Sequence, residues 1–114
     1  TQENIHQTIC VSGWTATIRP PVSYTNRLKI QQMQSYGLSG IPSEYEEDHL
    51  IPLELGGSPT SQLNLWPEPI GEARLKDKVE NYLHSQVCQG KLSLVDSQSK
   101  ISLDWRKVFT DMGG

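Results

Sequence analysis

Residues 44–57 have the sequence EYEEDHLIPLELGG, and this stretch decides the fold that we expect for the chain. Four carboxylates between positions 44 and 48 run directly into His49, and an apolar segment and a Gly-Gly pair follow. A carboxylate next to a histidine can hold one end of the imidazole, raise its basicity, or bind a divalent metal beside it. The alternative is a solvated acidic strand edge with one incidental histidine.

The segments that follow predict a hairpin-like pair of strands and then a long helix. Residues 44–55 and NLWPEP at 64–69 are interpreted as two short extended segments joined by a loop, in which Gly56 and Gly57 serve a turn that needs positive φ or close backbone approach. Apolar residues at helical spacing predict a helix from about 71 to 89, with Leu75, Val79, Tyr82, Leu83 and Val87 on one face.

The two ends of the chain carry weaker patterns. Alternation over residues 9–18 predicts one or two short strands, interrupted at Gly13, and Thr25 is a plausible N-cap for a helix through Tyr36. A final helix is predicted from Ser93, with Asp96 as its capping partner. Its core-facing stripe consists of Leu94, Ile101, Trp105 and Val108.

Length and charge exclude several classes of protein. At 114 residues the chain has room for one domain with a single core. Ten Lys and Arg against thirteen Asp and Glu give a net charge of −3, which disfavours a protein that coats nucleic acid through its overall charge. No run is long enough for a transmembrane helix, and we expect a monomer with no membrane association.

The two cysteines favour an oxidising compartment. The number of cysteines is even, and Cys10 and Cys88 lie far apart in sequence, which suits one long-range disulfide. Two unrelated buried thiols would give the same count. The chain begins at Thr1, without an initiator Met or an apolar export segment. Either an export signal has been removed or the chain was trimmed, and the cysteines favour a secreted or periplasmic protein.

The middle of the chain resembles the HNH, or ββα-metal, endonuclease superfamily. The stretches that carry the resemblance are DHLIPLELGG at 48–57, NLWPEP at 64–69 and KDKVENYLHSQVC at 76–88. The similarity is closer to small exported bacterial HNH-type proteins and covers roughly residues 8 to 106. It implies a single α+β domain over residues 1–114, with a central ββα-metal unit at about 44–90 flanked by N- and C-terminal helices.

The resemblance also implies roles for individual residues. Asp48 matches the carboxylate that ligates a single divalent metal, and His49 matches the general base that takes a proton from the attacking water. Asn64 matches the asparagine that ties down the loop after the base. Asp77 is our choice for the third position, on the helix, and oxygen ligands of this kind favour Mg²⁺ or Mn²⁺.

Helical geometry gives an independent reason to place metal ligands on this part of the helix. At 100° per residue, Asp77, Glu80 and His84 fall within about 60° of one another, opposite the apolar face. Glu80 and His84 are therefore reserve ligands, and a His84 ligand would admit Zn²⁺ or Ni²⁺. The alternative is an ordinary solvated face. Lys76, or Arg74 near it, is a candidate cation for the transition state, unless these residues form surface ion pairs instead.

We therefore predict a metal-dependent endonuclease that hydrolyses DNA, with RNA as a further candidate substrate. The competing hypothesis is a secreted, non-catalytic metal-binding or interaction module on the same scaffold. One geometric conflict stands against the first hypothesis. Neighbours in a regular strand face opposite ways, so Asp48 and His49 reach one site only if the strand ends or distorts there.

Overall fold

The helices and strands of the chain come from a computed structural model that describes residues 1–113. The elements in chain order are α1 (Trp14–Ile18), α2 (Val22–Tyr36), β1 (Tyr45–His49), β2 (Leu65–Pro69), α3 (Ile70–Cys88) and α4 (Leu94–Asp111). Short 3₁₀ turns cover Gln2–Gln7, Pro42–Glu44, Leu53–Leu55 and Gln62–Asn64. The predicted α+β class is confirmed, with β1, β2 and α3 in the middle and helices on either side.

The prediction of strands over residues 9–18 was wrong. This segment forms irregular turns, which follow the 3₁₀ turn Gln2–Gln7, and then the short helix α1, and Gly13 adopts φ 82° immediately before α1. Ile5 and Ile9 are both buried in the core that α3 and α4 form with this end of the chain. The disulfide to α3 holds the same segment against the core, so tertiary contacts override the weak alternation.

Helix α2 begins four residues earlier than predicted, because Pro20 and Pro21 start it rather than simply ending the segment before it. Pro21 is the N-cap, and Thr25 lies inside the first turns, where its hydroxyl donates to the carbonyl of Val22. Proline suits a helix start since its fixed φ is already helical and its missing N–H is not needed there. Gly37 ends the helix with φ 66°, directly after the predicted last residue, Tyr36.

The two strands form an antiparallel pair whose register runs from Tyr45 opposite Pro69 to His49 opposite Leu65. Helices α2 and α3 both contact the two strands. Lys29 of α2 donates to the carbonyl of Tyr45 at 3.1 Å, and Lys76 of α3 donates to the carbonyl of His49 at 2.6 Å. The sheet is thus held between two helices, each of which reaches a backbone oxygen of β1.

The core lies where α3, α4 and the N-terminal segment meet. Its buried members are Ile5, Ile9, Leu55, Val79, Leu83, Val87, Leu94, Ile101 and Trp105. The predicted disulfide is confirmed: Cys10 and Cys88 are bonded across 78 residues. The predicted cap of α4 is confirmed as well, since Ser93 Oγ accepts from the amide of Asp96 at 3.1 Å.

The predicted apolar face of α3 was partly wrong. Leu75 and Tyr82 are 40% and 41% exposed, whereas Lys76 and Glu80 are buried beside Val79. The buried face of the helix is therefore rotated toward the sheet, because an ion pair between Lys76 and Asp48 takes a place that apolar side chains were expected to fill.

The disulfide is compatible with an extracellular protein, because such bonds persist in oxidising compartments. Within residues 1–113, none of the helices combines the length and the apolar character that a membrane span requires.

Candidate functional site

A cleft of about 500 Å³ runs beside β1 and contains three of the predicted site residues, Asp48, His49 and Asp77. Residues Glu46 to His49 line one wall, and Asp77 and Glu80 of α3 line another. Arg19, just after α1, and Glu54, in the loop after His49, complete the charged lining. The cleft is strongly acidic, with Arg19 as a cation at its border.

The position of this cleft resolves the conflict over Asp48 and His49. Within the described chain β2 is the only strand that pairs with β1, so no strand covers the second edge of β1. Four consecutive residues of β1, with side chains that alternate in direction, all line the cleft. The cleft therefore wraps around the outer edge of the strand, where side chains from both faces of the sheet reach it. The strand also ends at His49.

His49 has the geometry of a general base. Its side chain is largely buried, and Nε2 lies 3.0 Å from the carbonyl oxygen of Pro59. A carbonyl only accepts, so Nε2 carries the proton and Nδ1 of the neutral ring is left as an acceptor. Burial lowers the pKa of His49, against the opposing effects of the Pro59 hydrogen bond and the Asp48 charge. A lowered pKa favours the neutral ring, which is the form that proton abstraction requires.

Asn64 fixes the loop that follows His49. Its Oδ1 accepts from the amide of Ile51 at 2.9 Å, while Nδ2 donates to the carbonyls of Ile51 and Ser58 at 3.0 and 2.9 Å. One side chain therefore ties both ends of the loop together. This is the position that the resemblance implies for Asn64, although the contacts are made with backbone groups and not with His49 itself.

The Gly-Gly pair allows that loop to close. Gly56 has φ 81°, and a Cβ added to Gly57 would lie 1.7 Å from the carbonyl oxygen of Ile51 and 2.9 Å from Nδ2 of Asn64. Any side chain at 57 would collide with the backbone. Positive φ and close backbone approach, the two needs inferred from the sequence, are thus divided between the two glycines.

Lys76 does not face the cleft. Its ammonium lies 2.6 Å from Asp48 Oδ2, 2.6 Å from the carbonyl oxygen of His49 and 3.1 Å from Glu80 Oε2, and the residue is only 2% exposed. It lines a separate cavity with Trp66 and Trp105. Lys76 is therefore placed to hold the Asp48 carboxylate from behind, and a substrate in the cleft would not touch it.

Asp77 shares the cleft with Asp48, as expected of a second carboxylate ligand. Burial and the charge of Asp48 raise the pKa of Asp77. Burial also raises the pKa of Glu46, and the charges of Asp48 and Asp77 raise it further. Glu80 lines the cleft as well, and burial raises its pKa to about 8, although Lys76 opposes this. The carboxyl groups thus crowd one another, and among the described residues Arg19 is the only Lys or Arg that lines the cleft.

His84 is not brought to the cleft. Its Nε2 lies 2.7 Å from the carbonyl oxygen of Ile9 and 3.6 Å from Cys88 Sγ, and its Nδ1 lies 3.9 Å from Glu54 Oε2. One turn beyond Glu80, α3 has already passed the sheet and packs against the N-terminal segment. His84 therefore contacts the disulfide region, apart from Asp48 and Asp77.

The donor set suits a hard divalent cation. Among residues 1–113 no three carboxylate, imidazole or thiolate groups are preassembled as a metal cage. Mg²⁺ does not need one, because it keeps several waters and takes one or two carboxylates from the protein together with substrate phosphate. Asp48 and Asp77 meet this requirement, and the mutual repulsion in the cleft would be relieved by a cation. Without His84, the set offers little to Zn²⁺ or Ni²⁺.

Two site residues were missed or misjudged in the sequence. Arg19 lies 29 positions before Asp48 and precedes two prolines, so no motif marks it; the packing of α1 brings it to the cleft. Its charge opposes the rise in the pKa of Glu46 and adds to the lowering of the pKa of His49. Glu68 is 0% exposed, and burial together with the neighbouring Asp48 raises its pKa to about 8.

Comparison with known proteins finds no matching family model and no significant match among curated proteins or solved structures. The resemblance to the HNH superfamily accordingly stays a hypothesis that depends on the motif residues.

Proposed function

We propose that the chain is a metal-dependent phosphodiesterase of the HNH type that cuts DNA, with RNA as a further candidate substrate. The observation that carries the proposal is the setting of His49. One ring nitrogen is held by the Pro59 carbonyl, and the ring lines a cleft shared with Asp48 and Asp77. The chain order β1, β2, α3 also agrees with a ββα unit at about 44–90.

Each residue of the site has a separate role in the proposed reaction. His49 takes a proton from the water that attacks phosphorus, and Asn64 keeps the loop after His49 in place. Asp48 and Asp77 would hold Mg²⁺ or Mn²⁺, which supplies positive charge to the phosphate and to the departing 3′ oxygen. Arg19 contacts a phosphate oxygen at the border of the cleft. Lys76 is a positioning residue, because it acts through Asp48.

The charge of the cleft explains why a cation is needed. Glu46, Asp48 and Asp77 would repel a phosphodiester, and Arg19 alone does not balance them. Carboxylates that raise one another's pKa are a common feature of functional sites. Substrate binding is therefore expected to depend on a divalent ion.

A second candidate is a metal-binding or interaction module that does not cut. The observation in its favour is the buried Lys76, which already neutralises part of the charge on Asp48. In this case a cation binds to the acidic cleft, but no phosphodiester is hydrolysed.

Both candidates suit a secreted or periplasmic protein, which we propose from the disulfide. Thiol labelling of protein from the culture medium, the periplasm and the cytosol tests this. Oxidised Cys10 and Cys88 in the exported fraction support it.

Cleavage of supercoiled plasmid tests the proposed function. Wild-type protein is expected to nick plasmid in Mg²⁺ or Mn²⁺ and to stop in EDTA, and His49→Ala is expected to lose at least about 100-fold in rate. His6→Ala is the matched control, because His6 is exposed and far from the cleft in the chain. Equal cleavage by His49→Ala and His6→Ala would remove His49 as the base. No cleavage by the wild type with any metal would favour the second candidate.

A further inference from the structure

A second cavity of about 440 Å³ adjoins the cleft. The two share Thr25, Glu46 and Glu47 in their walls, so they are continuous along β1. The second cavity extends toward the start of the strand, where Tyr45, Lys29 and Arg74 line it. The groove formed by the two cavities is thus longer than one phosphodiester requires.

Positive charge is found at both ends of this groove. Arg19 borders the first cavity, and Lys29 and Arg74 border the second. The ammonium of Lys29 already donates one hydrogen bond, to the carbonyl of Tyr45, and its charge opposes the rise in the pKa of Glu47. Arg74 is exposed and takes part in no ion pair within residues 1–113. Its guanidinium is therefore available to an anion, and Arg is suited to bidentate contacts with phosphate.

The length of the groove matches a strand of nucleic acid. Tyr45 lies only in the second cavity and Asp48 only in the first. Three steps along the extended strand separate them, or about 10 Å. A nucleic-acid strand carries one phosphate per about 3.4 Å of helix axis. A strand bound with one phosphate beside Asp48 therefore places a phosphate about three positions along its flanking segment within the second cavity.

We propose that Arg74, with Lys29, forms a binding subsite for the phosphate of a nucleotide that flanks the bond to be cut. The proposal rests on the proposed function, and it makes a nucleic-acid strand, rather than an isolated phosphate ester, the substrate class.

Binding of a labelled single-stranded DNA 12-mer, followed by fluorescence anisotropy, tests the subsite. The measurement is made in EDTA and again in Mg²⁺, at several salt concentrations. Arg74→Gln is expected to weaken binding roughly three- to tenfold and to reduce the slope of log K against log salt by about 0.7. Arg74→Lys keeps the charge and is expected to retain the slope.

Lys100→Gln is the matched control. Lys100 is an exposed cation of α4 that lines neither cavity, and its substitution changes the net charge by the same amount. It is expected to bind like the wild type. Equal binding by Arg74→Gln and Lys100→Gln would overturn the subsite, as would a wild type that binds no oligonucleotide in either condition.

The same measurement separates the two proposals. If the wild type cuts no plasmid but Arg74→Gln still weakens binding, the subsite stands and the nuclease function falls. If the wild type cuts while Arg74→Gln binds like Lys100→Gln, the nuclease function stands and the subsite falls. Arg74 is exposed, and coincident thermal melting of the variants shows that all are folded.

Discussion

The ammonium of Lys76 lies 2.6 Å from Oδ2 of Asp48 and 2.6 Å from the carbonyl oxygen of His49, so one buried cation holds two consecutive residues of the site. Lys76 comes from α3, and the pair belongs to the end of β1. The helix is therefore fixed to the strand at the point where the candidate base and the candidate metal ligand leave it. The positive charge of Lys76 thus lies directly behind the Asp48 carboxylate.

Loss of Lys76 is expected to destabilise the fold. Lys76→Met leaves two buried carboxyl groups without their cation, and breaking a buried pair in this way costs about 3–5 kcal/mol. Urea unfolding measures the change. Lys78→Met, an exposed position of the same helix, serves as control and is expected to change stability by less than about 0.5 kcal/mol. A Lys76→Met protein as stable as the control would show that the pair contributes nothing.

Stability is expected to fall as pH rises from 5 to 8.5. Burial, together with Asp48, raises the pKa of Glu68 from its ordinary value of 4.5 to about 8, so the folded state binds more protons than the unfolded state between these values. The stabilisation is complete below pH 4.5 and is lost as pH passes through 8. Glu80 acts in the same direction, since its pKa is also raised to about 8.

Glu68→Gln tests the contribution of Glu68. A neutral amide removes the cost of ionising the buried group, so the variant is expected to exceed the wild type by about 1–3 kcal/mol at pH 8.5 and to match it at pH 5. Urea unfolding at pH 5, 7 and 8.5 gives the three comparisons. Glu3→Gln, at an exposed position, is expected to follow the wild type throughout. A wild-type curve that rises with pH and is unaltered by Glu68→Gln would contradict the assignment.

Asn64 is expected to matter for both stability and activity. Asn64→Ala removes three hydrogen bonds to backbone groups of the loop and is expected to cost about 2 kcal/mol. Plasmid cleavage by the folded fraction is expected to fall further, because the loop follows His49. Gln62→Ala, exposed in the same turn, is the control. Wild-type cleavage by fully folded Asn64→Ala would show that the loop does not orient the base.

The two glycines at 57 and 71 are expected to respond to alanine in opposite ways. A Cβ at Gly57 meets the Ile51 carbonyl oxygen at 1.7 Å, whereas a Cβ at Gly71 meets nothing within 4 Å. Gly57→Ala is expected to lose about 2–4 kcal/mol, and Gly71→Ala, in the first turn of α3, to gain up to about 1 kcal/mol. Thermal melting distinguishes them, and similar melting temperatures would refute the close approach.

The amino-acid sequence by itself determined the local elements around the site. Periodicity placed α3 and α4, and the turn residues placed the loop between the strands, because these features depend on neighbours in the chain. The glycine pair and the Asp-His pair were also visible, since both are contiguous. The disulfide followed from a count of two cysteines. Each of these predictions depended on residues that are close together in the sequence, or on the pairing of the two cysteines.

Only the tertiary structure decided which polar side chains share the cleft. Lys76 and Asp77 are adjacent in sequence, yet one is buried behind Asp48 and the other lines the cleft, because the sheet sets the rotation of α3. His84 contacts the N-terminal segment. Arg19 lies directly after α1, a helix that forms where strands were expected. Burial and long-range packing cannot be read from spacing, since the free energy of placing a charge depends on every group that surrounds it.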